Sequence, residues 1–359
     1  MQKFLIIQTA FIGDVVLATA LIEKLHTNFP EAQIDFLLRK GNEGLLQNHP
    51  YIHEVLIWDK KQHKTRNLFK LISIIRKNKY DKVINVQRFF STGLMTALSG
   101  AQEKTGFDKN PLSFLFDNKV KHVIDTETNY IHEVQRNLLL IKDFTDEKPA
   151  TTKLYPTKED YDEVNQLLKE EPLNGESFNV NENQSATKYI CVAPASVWFN
   201  KQYPKEKWIA FLKLLPSSFK IYLLGAGSDR NLCDEILNAI PGDAVRNLCG
   251  KLSFLQSAAL MQNASMNYAN DSAPLHIASA MNAPVTAVFC STVLWFGYGP
   301  TSNKSNVVQI DYPLYCRPCS LHGKKYCPEK HFKCALDIKE EQLLKTLDNT
   351  AKGLGFYEH

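Results

Sequence analysis

The chain has 359 residues, a formal net charge of +4, 44% hydrophobic residues and 22% charged residues. This length exceeds one ordinary hydrophobic core and fits two domains of typical size. The composition is that of a soluble globular protein, and so mild a charge does not argue for a nucleic-acid partner. The apolar run at residues 4–7 is too short for a signal peptide, and no window reaches the roughly 18 apolar residues of a membrane span. We therefore expect a cytoplasmic protein.

The first half of the chain alternates short apolar runs with amphipathic stretches. The patterns predict strands at residues 3–9, 33–38, 54–58 and 81–87, and helices at 14–30, near 42–47 and at 66–78. Such alternation of strand and helix predicts a parallel, doubly wound sheet.

The middle of the chain differs in character. Residues 153–188 are polar and rich in charge, and they carry few signs of a buried strand. We place the domain junction at 172–187, which gives an N-terminal domain of residues 1–172 and a C-terminal domain of residues 173–359. From residue 189 to residue 289 the strand and helix patterns resume. The fold class predicted is α/β, with two Rossmann-like domains whose strand ends face a central cleft, where ligands bind in such sheets.

A polar cluster interrupts two apolar runs between residues 268 and 289. A predicted strand ends at Asn270, and a helix is predicted to begin near Ala273. Asp271 or Ser272 would cap that helix, and its first free amides would form an anion site at the positive end of the helix dipole. A capped helix without a ligand is the alternative, with His276 as a packed structural histidine.

Two further loops follow predicted strands of the second half. The loop at residues 225–230 begins like a dinucleotide-binding fingerprint, but the third glycine position holds Arg230. Ser196 and Lys201 lie in a loop before a helix predicted to start near Pro204. A lysine there could neutralise a phosphate, or it could be an ordinary solvated lysine.

The first strand is followed by Gly13 and Asp14. Gly13 would permit a tight turn, and Asp14 would open the next helix. Asp14 is therefore either a helix cap, which is common for aspartate, or a carboxylate exposed at the cleft as a general base.

The C-terminal part contains a cysteine-rich loop at residues 316–334, followed by a helix. Its cysteines have the spacing C-x2-C-x7-C-x6-C, at Cys316, Cys319, Cys327 and Cys334. This spacing is compatible with a structural zinc site, for which His322 and His331 are spare ligands. A compact thiol-rich loop without metal is the alternative.

Taken in order, these segments resemble those of the ADP-heptose:lipopolysaccharide heptosyltransferases, glycosyltransferase family nine. The resemblance rests on the strand–GD–helix start, APASVWFNKQYPKEKW, GAGSDR, NLCGKLSFLQSAALMQNA and NDSAPLHIASA. It covers nearly the whole chain. The ND-S-x-x-x-H segment is its most specific part, and the cysteine-bearing tail is also similar to that of several members.

The resemblance implies a GT-B fold, in which the N-terminal domain binds the acceptor and the C-terminal domain binds the nucleotide-sugar. It implies an inverting transfer of heptose from ADP-heptose to the inner core of lipopolysaccharide or lipooligosaccharide, without a catalytic metal. The acceptor would then be a lipid-linked saccharide, and the protein would contact the inner membrane peripherally.

The resemblance also implies roles for individual residues. Asp14 would be the base, and the substrate-binding residues would be Gly13, Ser196, Lys201, Asp229, Leu252, Asp271, Ser272, Ala273 and His276. Of these, Ser196 and Lys201 would meet the diphosphate, Asp229 and Leu252 would lie near the adenosine, and the last four would form the sugar-diphosphate site. The family often has glycine where this chain has Ala273, and glycine lets the backbone approach a phosphate closely.

Three residues of the first half are candidate partners for an anionic acceptor: Arg88, His132 and Arg136. The alternative is that they are exposed charges without a ligand.

Other functions stay open at this point. A GT-B enzyme with another nucleotide-sugar donor would share these features. A nucleotide-dependent oxidoreductase on paired Rossmann domains is disfavoured by Arg230 in the glycine fingerprint. A non-catalytic sugar-binding protein would usually be periplasmic and would carry a secretion signal, which we do not find.

Overall fold

The computed structural model describes residues 1–124, 127–169 and 188–351, with side chains described as far as residue 347. The chain forms two compact units, Met1–Tyr155 and Pro156–His359. The predicted junction at residues 172–187 lies outside the described residues. The polar segment before it forms helix α5, Lys158–Lys169, which belongs to the second unit. Helix α5 packs against another helix of the same unit, Phe254–Gln262.

The first unit is a parallel six-stranded sheet with the order β3-β2-β1-β4-β5-β6. Its strands are β1 Lys3–Ile7, β2 Gln33–Arg39, β3 Glu54–Trp58, β4 Lys82–Asn85, β5 Glu103–Phe107 and β6 Asn118–Val120. Its helices are α1 Ile12–Asn28, α2 Lys64–Asn78, α3 Phe90–Ala97 and α4 Glu133–Leu138. The four strands predicted in this half are confirmed. The patterns missed β5 and β6, because their sequences EKTGF and NKV are too polar to stand out as buried strands.

The burial of these elements follows from their apolar patterns. Strand β1 is buried from Phe4 to Ile7, as expected for a central strand covered on both faces. Helix α2 buries Leu68, Leu71, Ile72 and Ile75, which form a single stripe at helical spacing. Within the described ranges of the chain, no helix combines the length and the apolar character needed to cross a membrane.

The second unit repeats this architecture, with the strand order β12-β11-β10-β7-β8-β9. Its strands are β7 Tyr189–Ala193, β8 Lys220–Leu223, β9 Val245–Asn247, β10 Met266–Asn270, β11 Val285–Val288 and β12 Ser305–Val308. Its helices after α5 are α6 Lys205–Leu214, α7 Arg230–Asn238, α8 Phe254–Gln262, α9 Ala273–Ala280, α10 Lys333–Leu336 and α11 Glu340–Ala351. Counted from the first strand of each unit, the two sheets have the same topology, although their sequences share no obvious repeat.

The strand order determines where each unit can bind a ligand. In the first unit the winding direction reverses between β1 and β4, and in the second it reverses between β7 and β10. Loops leave the carboxyl ends of such a strand pair in opposite directions and open a crevice, which is the usual ligand site of doubly wound sheets.

Candidate functional site

The crevice of the second unit brings together two predicted site residues, Lys201 and Asp271. Lys201 ends a short 3₁₀ turn, Phe199–Lys201, in the loop after β7, and Asp271 directly follows β10. The Lys201 ammonium lies 2.6 Å from the Asp271 carboxylate, and their side chains are only 14% and 7% exposed. A largely desolvated ion pair therefore stands at the point where the topology predicts a ligand.

The same carboxylate oxygen has a second donor, which the sequence patterns missed. The Thr292 hydroxyl donates to Oδ2 of Asp271 at 2.6 Å, and Thr292 is buried. Thr292 follows β11, the strand that pairs with β10. The signal that could have identified Thr292 is a hydroxyl residue shortly after an apolar strand. A lone threonine carries little information when the order of the strands is unknown.

Asn270 joins the end of β10 to the loop that carries Lys201. Its side-chain NH₂ donates to the Pro194 carbonyl at 2.8 Å, and its side-chain oxygen accepts from the Tyr203 amide at 2.8 Å. Because Asn270 is fully buried, both bonds are shielded from water. These bonds hold the two ends of the Lys201 loop against the strand that leads to Asp271.

Helix α9 begins beside this pair, but not with the cap that the sequence suggested. Ser272 is the N-cap residue, yet its side chain makes no capping hydrogen bond; instead its hydroxyl donates to the Asn270 carbonyl at 3.3 Å. The Asp271 carboxylate is directed to Lys201 and Thr292. The expectation that either side chain caps α9 is therefore wrong.

Two further predicted residues lie in the first turn of α9. Ala273 is the first helical residue, and its φ angle is not in the left-handed region. The backbone at Ala273 therefore does not require glycine. His276 is 5% exposed and lies on the buried side of the helix.

The residues expected near an adenosine lie in two segments in mutual contact. The Asp229 carboxylate accepts from the Ala226 amide at 2.8 Å in the turn after β8. Gly250, two residues before Leu252, donates its amide to the Gly225 carbonyl at 3.0 Å. Its φ is +71°, and a Cβ there would come 2.8 Å from the Gly227 Cα. Glycine at 250 thus allows the Leu252 segment to lie against the Asp229 turn.

The cysteine-rich loop supports the loop of Lys201, which the sequence patterns did not indicate. The backbones of Lys324 and Asn200 are joined by a hydrogen bond of 3.2 Å, and the Lys324 amide donates to the Asn200 side chain at 2.6 Å. Arg317 donates to the carbonyls of Cys290 and Thr292, both at 2.7 Å. The loop therefore contacts both segments that surround Asp271.

Ser196 belongs to the same loop as Lys201 and is half-buried. Its carbonyl accepts from the Gln202 side chain at 2.6 Å. This bond closes the loop upon itself just before α6.

Among the described residues, no three of the four predicted zinc ligands have their sulfur atoms within 4.8 Å of one another. Within the described ranges, one group of residues brings three possible metal-ligand atoms within 4.8 Å of one another. It consists of Asp35, His53 and Glu54 and contains no cysteine. Cys334 is buried in the hydrophobic core, and burial raises its pKa to about 12. Cys316 lies 3.8 Å from Nε2 of His331. All eight cysteines are free thiols, and a structural zinc site in this loop stays a prediction.

In the first unit, Asp14 lies in the crevice after β1. Helix α1 begins at Ile12, so Asp14 is its third residue, and its carboxylate accepts from the Phe11 amide at 3.1 Å. Gly13 is in the first helical turn without a positive φ, so the tight turn predicted for it is wrong. The Arg39 guanidinium stacks on the Phe11 ring at 4.8 Å. Burial lowers the pKa of Arg39, and the negative charge of Asp14 counteracts part of this shift.

The three candidate acceptor residues have different environments. Arg88 is exposed and follows β4, at the crevice edge of the sheet. His132 is the N-cap of α4, where its Nδ1 accepts from the Val134 amide at 3.2 Å. Arg136 is 1% exposed and donates to the Glu133 carboxylate at 2.7 Å. These contacts give His132 and Arg136 structural roles in α4.

Comparison with known proteins decides the family. Residues 68–331 match the model of glycosyltransferase family 9 (heptosyltransferase). The chain belongs to this family. It is 27% identical over 310 residues to lipopolysaccharide heptosyltransferase 3 of Escherichia coli, covering 84% of this chain and 86% of that protein. It is 26% identical over 358 residues to lipopolysaccharide heptosyltransferase 1 of Campylobacter coli, covering 96% and 97%.

The fold of this family 9 member also matches a solved structure. The structure of E. coli ADP-heptose lps heptosyltransferase II superposes with a TM-score of 0.77 at 19% identity, covering 98% of this chain and 99% of that chain. The predictions of family, of glycosyltransferase class and of a GT-B α/β fold are confirmed.

Proposed function

We propose that this glycosyltransferase is an inverting enzyme that transfers heptose from ADP-heptose to a hydroxyl of the lipopolysaccharide or lipooligosaccharide inner core. The observation that carries the proposal is the buried pair of Lys201 and Asp271 at the start of α9, in the ligand crevice of the second unit. The names of its family 9 relatives supply the sugar and the pathway.

The donor diphosphate would be bound without a metal. The Lys201 ammonium supplies a positive charge in a site with little solvent, and the first amides of α9 add donors at the positive end of the helix dipole. The backbone at Ser272 and Ala273 would contact the phosphate oxygens. Charge that develops on the departing ADP is then stabilised by groups that are already in position, so a strong acid is not needed.

The remaining donor contacts follow from the neighbouring loops. Asp271, held by Lys201 and Thr292, would accept hydrogen bonds from sugar hydroxyls. The Asp229 turn and the Leu252 segment would border the adenosine. The two segments follow β8 and β9, on the β7 side of the crevice, where they could border the nucleoside of the donor.

On the acceptor side we assign Asp14 as the general base. Inversion at the anomeric carbon needs a base on the face opposite the leaving group, and one carboxylate is sufficient for this. Asp14 lies in the first turn of α1, where the helix dipole favours its charged form. Arg88 would contact an anionic group of the acceptor. Because that acceptor is lipid-linked, we place the enzyme at the inner face of the inner membrane, in peripheral contact with it.

The experiment is a turnover screen of ADP-, GDP-, UDP- and CDP-sugars, with ADP-heptose among them, on a de-acylated inner-core saccharide. We expect turnover with ADP-heptose, and NMR of the product should show the anomeric configuration opposite to that of the donor. Turnover that favours another nucleotide, or a product with retained configuration, would contradict the proposal. A thermal-shift series with the same nucleotides separates donor binding from turnover.

A further inference from the structure

An imidazole and two carboxylates meet at the amino-terminal edge of the first sheet, away from the ligand crevice. They belong to Asp35 of β2, to Glu54 at the start of β3 and to His53 just before it, and one ligand atom of each lies within 4.8 Å of the other two. The crevice lies at the carboxyl ends of the strands. Strand β2 continues beyond Asp35 as far as Arg39, which is roughly 13 Å along the strand. The cluster is therefore separate from the proposed active site.

The pairing of β2 with β3 brings the three side chains together. Asp35 is the register partner of Glu54, so their side chains project from the same face of two neighbouring strands. The His53 amide donates to the Ile34 carbonyl at 2.8 Å, which holds the residue before β3 against β2. Strand β3 is at the edge of the sheet. The backbone of the sheet edge therefore sets the separation of all three side chains.

The negative charges of the cluster exceed its positive charges. The Asp35 side chain is fully buried, and like charges opposite each other on neighbouring strands are destabilising. Among the residues that the structure describes, no lysine or arginine nitrogen lies within 4.0 Å of either carboxylate. A protonated His53 would supply one positive charge against two negative ones. Because a buried charge is costly unless it is paired or coordinates a metal, this composition points to a bound cation.

The geometry of Asp35 and His53 suits two ligands of one ion. Oδ1 of Asp35 lies 2.9 Å from Nδ1 of His53. Oxygen and nitrogen ligands bind zinc at about 2.0–2.2 Å, so two neighbouring ligands of the same ion lie about 2.8–3.6 Å apart, depending on the coordination angle. His53 and Glu54 are exposed, which gives a hydrated ion access to the buried carboxylate. A direct hydrogen bond between imidazole and carboxylate is the alternative at this distance, and the experiment below separates the two.

The second oxygen of Asp35 has a partner of the kind that orients metal-bound carboxylates. The buried Tyr80 hydroxyl donates to Oδ2 at 2.5 Å, and the Asn78 side chain donates to that hydroxyl at 2.9 Å. These bonds direct Oδ1 towards His53, as an outer shell does for a ligating side chain. The Gln33 side-chain nitrogen also lies 2.9 Å from Nδ1 of His53, and this partly exposed side chain would turn outward when an ion binds.

We propose that Asp35, His53 and Glu54 bind one divalent transition-metal ion, which joins the edge strand β3 to β2. The imidazole favours zinc and its neighbours in the transition series over magnesium and calcium, and water would complete the coordination. Because the cluster lies at the opposite end of the strands from the Asp14 loop, the ion would stabilise the first unit and take no part in sugar transfer. The inference is therefore independent of the proposed function.

The test is zinc binding by the full chain, kept reduced and freed of metal with a chelator. Equilibrium dialysis followed by metal analysis should give one equivalent that depends on His53, and zinc should raise the melting temperature. His53→Asn should weaken this binding by about a hundredfold or more, because the loss of an outer partner alone typically costs about ten- to a hundredfold. The matched control is His63→Asn, at an exposed histidine outside the cluster, which should bind zinc as the parent does.

Two further variants make the zinc measurement specific. Cys319→Ser should remove any zinc held by the cysteine-rich loop and leave the equivalent that depends on His53. Glu54→Gln removes one carboxylate at an exposed position. In chelator it should melt no lower than the parent, because it relieves the repulsion between like charges, and zinc should raise its melting temperature less than that of the parent.

Three results would overturn the inference. The first is a parent whose melting temperature does not respond to zinc, since His53 and Asp35 would then form only a hydrogen bond. The second is equal zinc affinity in the parent and in His53→Asn, including the case in which Cys319→Ser alone loses the metal. The third is a zinc-dependent rise in melting temperature that is as large in Glu54→Gln as in the parent.

Discussion

The Lys201 ammonium lies 2.6 Å from the Asp271 carboxylate, and both side chains are largely buried. Removing one member of such a pair leaves an uncompensated charge with little solvent, which typically costs about 3–5 kcal/mol. Replacing both members removes that penalty. The pair therefore allows the contribution of Lys201 to folding to be separated from its contribution to donor binding.

We expect Lys201→Met to lower both the melting temperature and the affinity for ADP. The loss in affinity should be about ten- to a hundredfold, because a charge-assisted contact contributes roughly 1.5–3 kcal/mol. In Lys201→Met/Asp271→Asn the melting temperature should recover and the affinity should not. Calorimetric titration and thermal unfolding measure the two effects. An unchanged dissociation constant in the single variant would place Lys201 outside the donor site.

Thr292→Val should weaken donor binding, while the shape of the side chain changes little. The substitution removes the hydroxyl that donates to Asp271, although Lys201 still contacts the same carboxylate oxygen. A lost hydrogen bond to a charged group costs about 1.5–3 kcal/mol. The control is Thr286→Val, since Thr286 is also buried and donates its hydroxyl to Thr346 at 2.8 Å. Both variants should lose stability, but only Thr292→Val should lower ADP affinity. Equal affinities would show that Thr292 has no influence on the site.

Gly323→Ala tests the support that the cysteine-rich loop gives to Lys201. Gly323 has a φ of +92°, and an added Cβ would lie 2.7 Å from Cβ of Trp198 and 3.0 Å from Cδ of Lys201. The control is Gly242→Ala, at a φ of +85° with nothing within 4 Å. Both should suffer a backbone strain of roughly 1–2 kcal/mol. Only Gly323→Ala should also lower ADP affinity, and equal affinities in titration would contradict the role of the loop.

Local patterns in the sequence predicted much of the fold, but not the contacts that complete the site. Lys201 and Asp271 each follow an apolar strand, which is visible in the sequence, whereas their pairing depends on β7 and β10 being neighbours. Thr292 reaches Asp271 only because β11 pairs with β10. Parallel strands are joined by long crossovers, so such neighbours are far apart in the chain.

Besides the order of the strands, the sequence did not reveal which side chains are buried. Arg136 was a candidate contact for an anionic acceptor, with an exposed charge as the alternative, but it is buried with Glu133, three residues earlier in α4. That spacing is a visible sign of an intrahelical pair. Cys334, a candidate zinc ligand by cysteine spacing, packs in the core of the second unit. Spacing along the chain does not specify which side of a segment meets the core.

Acid should destabilise the first unit through His49. Burial lowers the His49 pKa to about 4, from a usual value near 6.5. As the pH falls from about 6.5 to 4, the unfolded chain binds a proton that the folded chain excludes, so up to roughly 3 kcal/mol of stability is lost. Glu23, 3.4 Å away, acts in the opposite direction, because burial raises its pKa.

The measurement is the melting temperature of parent and His49→Gln between pH 7 and pH 4. We expect the variant to show a shallower fall than the parent. His63→Asn, at an exposed histidine, should follow the parent curve. A His49→Gln curve parallel to that of the parent would mean that His49 does not titrate in this range.

The last prediction concerns Asp14→Asn. The carboxylate accepts from the Phe11 amide at the start of α1, and asparagine is nearly isosteric and can still accept that bond. If Asp14 only caps the helix, activity should be near normal. If it is the base, turnover should fall by about 10²-fold or more, because general-base catalysis typically contributes that much.

A matched cap supplies the control for Asp14→Asn. Asp160 accepts from the Thr157 amide at 2.8 Å at the start of α5, and it has no assigned role in the reaction. Asp160→Asn should leave turnover unchanged, so loss of a cap and loss of a base can be told apart. ADP affinity and melting temperature should hold in both variants, since asparagine preserves the shape and the hydrogen bond of each cap. Steady-state rates and calorimetric titration on the same preparations decide the matter, and turnover within a few-fold of the parent for Asp14→Asn would end its assignment as the base.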